Sequence, residues 1–164
     1  MSAKMLSTAV VILACVGIVQ ATPIEVGSGD NTAGLYIEWK DGFSMKFLVS
    51  FPEESITGME LIQRVADATP LTIVVNDFGF GRFVDGIAWE EHANAGWGGG
   101  EDWWHYWTKE GGHNWASSMI GASDRVVVDG AWDGWVYGRA GIPEPATLLL
   151  VGLGVMFVRR QAAR

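Results

Sequence analysis

Apolar and polar positions change their spacing at a few punctuating residues, and those changes divide residues 33 to 139 into a small folded domain. Gly34 to Lys40 and Phe43 to Phe51 are apolar, aromatic and β-branched runs joined by Asp41-Gly42, a dipeptide suited to a tight hairpin. Two antiparallel strands are expected there. Thr57-Gly58-Met59-Glu60 then has the form of a capping box, and Met59, Ile62 and Val65-Ala66, with Leu61 alongside, put an apolar stripe on a helix running to about Ala68. Pro70 ends it. Leu71 to Val75 is a β-branched run, and Gly79 to Ala88 reads as a strand pair or a bent strand. The Gly-rich residues 90 to 102 read as a loop. Trp103 to Lys109, Asn114 to Ser118, Arg125 to Asp129 and Trp135 to Gly138 read as short strands between glycine turns. Residues 22 to 32 are polar and form a leader. One helix must cover one face of a sheet to bury its stripe, so the expectation is an α+β domain. A small antiparallel sheet would carry one main helix, in a β-grasp-like or half-sandwich arrangement.

Two further apolar stretches flank this domain and follow targeting logic instead. Lys4, the apolar run Met5 to Val19 and the small-residue site Val19-Gln20-Ala21 form a secretory signal peptide over residues 1 to 21, with cleavage between Ala21 and Thr22. A lipidation site at Cys15 competes with it, but Leu13 stands where a small residue is usual. At the other end, residues 140 to 164 hold Pro143-Glu144-Pro145, then an apolar span over 146 to 158, then Arg159-Arg160. Motif, span and basic stop, in that order, closely resemble the PEP-CTERM sorting signal of Gram-negative bacteria. The resemblance implies a membrane-embedded exosortase as partner and removal of the span. As a helix the thirteen residues 146 to 158 rise about 20 Å against a hydrocarbon core of about 30 Å, which suits a transient membrane segment better than the alternative, a permanent anchor. The expected route is export through the inner membrane to the cell surface or the extracellular space.

Without both ends the region carries 18 acidic and 7 basic side chains, a net charge of −11. That charge repels phosphate backbones and argues against a nucleic-acid partner. The one cysteine, Cys15, leaves with the signal peptide, so the mature domain has no disulfide and no thiolate nucleophile. His92, His105 and His113 sit among Glu90, Glu91, Glu101, Asp102 and Glu110 without a zinc spacing, and Ser117-Ser118 lack a nucleophile elbow. No carboxylate pair stands out as a glycosidase would require. The expectation is a protein with no catalytic residue, no metal and no cofactor.

The domain also carries a second set of motifs. Tyr106-Trp107, Trp115-x-x-Ser118-x-x-Gly121-Ala122-Ser123, Val128-Asp129-Gly130 and Gly134-Trp135-x-Tyr137-Gly138 follow the hairpin and helix. Together, over residues 43 to 138, they look like the transcobalamin-like C-terminal domain family. The resemblance implies a Tyr-Trp pair on a central strand and a surface module. The large helical domain that gives the animal proteins much of their cobalamin contact has no counterpart here.

Nine tryptophans concentrate the remaining chemistry, seven of them from Trp97 onward. Strand alternation places Trp103, His105 and Trp107 on one face and Trp104 and Tyr106 on the other. Core packing accounts for Trp103, Trp107 and Trp115, since indoles are highly buried on average. Trp97, Trp104 and Trp132, with Tyr106, are the candidates for an uncovered aromatic face that stacks on sugar rings or another flat apolar ligand. The sequence thus points to a non-catalytic surface or extracellular-matrix protein that binds exopolysaccharide or other surface proteins. The alternative is a small binding protein for a carbohydrate or a cobalamin-like cofactor.

Overall fold

The computed structural model describes residues 22–79, 81–138 and 142, so the signal peptide, the Pro143-Glu144-Pro145 motif, the span 146–158 and Arg159-Arg160 lie outside the described residues. Among the described residues no helix is long and apolar enough to cross a membrane.

The hairpin forms where Asp41-Gly42 places it. Strands β2 (Asn31–Glu38) and β3 (Ser44–Phe51) pair antiparallel from Asn31↔Phe51 to Glu38↔Ser44. Asp41 accepts from the Phe43 amide at 3.0 Å, and Gly42 takes φ +86, a conformation costly for any residue with a Cβ. Ahead of them β1 (Ile24–Gly27), within the expected leader, is an edge strand that runs parallel to β3. The short turn from β1 to β2 therefore steps over β3.

The helix α1 (Gly58–Ala68) follows β4 (Ile56–Thr57). Thr57 Oγ1 accepts from the Glu60 amide at 3.1 Å while Glu60 Oε2 accepts from the Thr57 amide at 2.7 Å, so the capping box is present in both directions. Its buried side, Met59, Leu61, Ile62 and Val65, packs with Leu35, Ile37, Phe47, Val49 and Phe51 from one face of the hairpin.

Three strands then form a separate antiparallel sheet in the order β5 (Thr72–Asp77), β6 (Arg82–Trp89), β7 (His92–Ala95). β7 lies inside the segment expected to be a loop. The chain returns through β8 (Trp104–Lys109), β9 (Ala116–Ser117), β10 (Val126–Val127), which pairs with β4, and β11 (Trp132–Tyr137). The main sheet has the order β1-β3-β2-β11-β8-β9.

This sheet is mixed, not antiparallel as expected. β11 runs parallel to β2, with Gly134 opposite Tyr36, and antiparallel to β8, with Gly134 opposite Trp107. The physical reason is the long crossover: α1 and the small sheet lie between β2 and β11, which brings the last strand back in the direction of the first. The domain is mostly β-sheet with one short helix on one face.

Candidate functional site

At the start of β8 two tryptophans exchange their expected roles. Trp104, expected outside, is 5 % exposed. Its Nε1 donates to the Asn94 carbonyl at 3.1 Å, and its ring meets Trp39 and Tyr137 edge-on at 6.2 and 5.3 Å. Trp103, expected in the core, is 43 % exposed, with its ring 3.7 Å from that of His105. The cause for Trp104 is β7: the strand read as loop brings its Asn94 carbonyl to the Trp104 indole. Trp107 and Trp115, also expected in the core, are half-buried on the opposite side of the main sheet.

Between the small sheet and the start of β8 lies an open cleft of about 390 Å³. Trp104, Tyr106 and Trp135 form its floor, and the Tyr106 and Trp135 rings stack at 4.6 Å. Phe83 from β6 forms one wall, Met119 and Ile120 another, and Trp97 and Trp103 the rim. The glycines of residues 96–100 shape the rim loop: Gly96, Gly99 and Gly100 all have positive φ, and Trp97 stands on it 77 % exposed, its Nε1 3.4 Å from the Gly100 carbonyl. Phe83, Met119 and Ile120 are 44, 94 and 51 % exposed. Arg82, Asp85 and His105 add charge and hydrogen-bonding capacity at the edge.

Below the floor lies a polar group that the sequence reading missed. Asp133 is fully buried, and Tyr106 OH donates to its Oδ2 in a short hydrogen bond. Arg125 Nε lies 3.4 Å from its Oδ1, while Arg125 Nη2 makes a 2.5 Å ion pair with Glu110 whose angle falls outside hydrogen-bond geometry. Gly58, the first residue of α1, must lack a side chain here, since a Cβ would meet the Tyr106 hydroxyl and stand 2.6 Å from Asp133 Oδ2. Burial pushes the Asp133 carboxyl up to about 6, partly offset by the Tyr106 hydrogen bond and the Arg125 charge. Burial, and next the Asp133 charge, raise the Tyr106 phenol far above its ordinary value. The Tyr106 hydroxyl is thus committed to Asp133, and the tyrosine is held by its tip. An Asp between Trp132 and Gly134 in a six-residue strand offers little sign of burial; the only sequence signal is one acid among aromatic and apolar neighbours.

Of the four expected ligand-binding residues, Trp97, Trp104 and Tyr106 come together at this cleft. Trp132 does not. It is half-buried on the opposite face, its indole lying over Gly34. His92 is engaged elsewhere, stacked on Phe43 at 3.8 Å and 2.6 Å from Asp41. Among the described residues no group of three His, Cys, Asp or Glu side chains is placed to hold a metal.

Comparison with known proteins bears on the C-terminal end. Residues 141–162 match the family model of the PEP-CTERM protein-sorting motif. That motif indicates exosortase-dependent sorting of an exported protein. No curated protein and no solved structure matches the chain, so nothing among them supports the transcobalamin-like resemblance of residues 43 to 138.

Proposed function

We propose that the domain is a non-catalytic binding module that holds carbohydrate rings in the aromatic cleft, on a protein delivered by its sorting motif to the cell surface or matrix. One observation carries this reading: Trp97, Trp103 and Phe83 are 77, 43 and 44 % exposed around one concavity. Exposed large aromatics scattered singly need no explanation, but a cluster lining a cleft favours a ligand. Indole faces stack on the C–H faces of sugar rings, and Arg82, Asp85 and His105 are placed to hydrogen-bond hydroxyls at the edge. A glycosidase generally uses two carboxylates about 5 to 10 Å apart, whereas Asp85 is the one carboxylate among the described lining residues. That contrast supports binding over hydrolysis. The natural ligand for such a site on an exported protein is exopolysaccharide.

For the fold, the order β3-β2-β11-β8, its central parallel pair and the helix following the first hairpin support a β-grasp-like reading.

Trp97→Ala tests the site directly. It should leave the melting temperature nearly unchanged, because the ring is mostly in solvent, and should weaken oligosaccharide binding about tenfold or more, the equivalent of one stacked ring at about 1.4 kcal/mol. Equal affinity of parent and variant would reject the cleft as the site.

A further inference from the structure

The face of the main sheet turned away from α1 also carries aromatic rings, those of Tyr36, Trp107, Trp115 and Trp132, all half-buried. Its centre has no side chains. Gly34 lies beneath the Trp132 indole, and Gly134, two residues further along the β2–β11 register and opposite Tyr36, leaves a slot. Ile142 occupies that slot: a Cβ on Gly134 would stand 2.5 Å from Ile142 Cδ1 and 3.1 Å from Trp115 Cζ3. The Tyr36 ring lies 6.3 Å from the Trp115 ring, and Lys109 Nζ lies 5.9 Å from the Trp115 centroid.

The position of Ile142 is unexpected for a free tail. Eight residues beyond Gly134, a straight strand would carry the chain about 26 Å away. Instead β11 ends at Tyr137, Gly138 takes φ +74 with its amide bonded to the Trp103 carbonyl at 3.1 Å, and Ile142 is back over the third residue of the same strand. Pro143, the first residue of the Pro-Glu-Pro motif, comes next.

We propose that this slot is a dock for Ile142, the residue immediately before Pro143-Glu144-Pro145, and that docking withholds that tripeptide from the exosortase until Ile142 lifts out. The fit is a branched aliphatic side chain against a glycine floor and an indole wall. A folded domain seated one residue from that tripeptide leaves little room for an enzyme that must enclose it. No residue of the cleft takes part, so this inference stands or falls independently of carbohydrate binding.

Cys15 is the only cysteine, so the full chain with Cys15→Ala accepts a single reporter thiol. In folded protein purified in detergent, Ile142→Cys should react with a maleimide about tenfold more slowly than Ser28→Cys, a control in an exposed turn, and the two should react alike in urea. Equal rates in the folded protein would overturn the dock. Ile142→Asp keeps Pro143-Glu144-Pro145 but cannot plug an apolar slot, so in cells containing the exosortase its tail should be removed several-fold sooner than in the parent, with Ile142→Val behaving as the parent. Circular dichroism would establish that each variant is folded. Unchanged timing in a folded Ile142→Asp protein would overturn the withholding role.

Discussion

Asp133 is the residue whose chemistry depends most on its surroundings. Its carboxyl is raised from 3.8 to about 6, so the folded protein keeps a proton that the unfolded chain releases between those values. Stability from this group is full below pH 3.8 and is lost as pH rises through about 6. Asp41 and Glu53 have the opposite sign. The His92 and Arg64 hydrogen bonds lower their carboxyls, so their contribution is present above the ordinary carboxylate range and lost as pH falls through it. Asp133→Asn should therefore flatten the melting temperature between pH 4.5 and 7.5 relative to the parent, gaining most at the higher pH. Parallel pH profiles for the two proteins would contradict the assignment. The aromatic residues give a second contrast. Trp104→Ala removes a buried indole and should cost about 3 to 5 kcal/mol, whereas Trp97→Ala should stay within about 0.5 kcal/mol. Urea titration of both variants measures the difference.

Among the elements, those with local turn or cap chemistry were legible and those set by long-range pairing were not. Asp41-Gly42 announces β2 and β3, and Thr57 with Glu60 announces α1 to the residue. Thr57→Ala should cost about 1 kcal/mol in thermal or urea unfolding, because it unpairs the Glu60 amide. An unchanged curve would show that the cap contributes nothing. β7 escaped notice because its hairpin turns on Glu90-Glu91, with Glu90 at φ +50, where Asn or Gly would be the readable signal. That one omission misplaced two indoles: Trp104, read as open, is held by the Asn94 carbonyl of β7, and Trp103, read as core, precedes the strand and borders the cleft. Strand direction escaped for a related reason. A period of two tells which side chains share a face, not whether the neighbour runs parallel, so the β2–β11 and β1–β3 pairs appear only once the crossover is folded. The cleft was partly legible, through Trp97 on its glycine loop. Its walls, Phe83, Met119 and Ile120, come from segments far apart in the chain and carried no shared signal.

At the scale of the whole molecule, a sorting motif at one end accounts for delivery, and the proposed role of the aromatic cleft is recognition. Replacing Pro143-Glu144-Pro145 with alanines should leave export intact and keep the C-terminal span attached, so that the protein accumulates in the membrane fraction; intact mass of released and membrane-bound protein reads this out. Recognition is tested most directly by the nine indole N–H signals of the labelled domain in a nuclear magnetic resonance titration with exopolysaccharide fragments. Binding in the cleft predicts that the Trp97 and Trp103 signals shift together and saturate, while those of Trp132 and Trp107 on the opposite face stay in place. Shifts confined to Trp132 and Trp107, or no shift at any indole across the fragments, would contradict it.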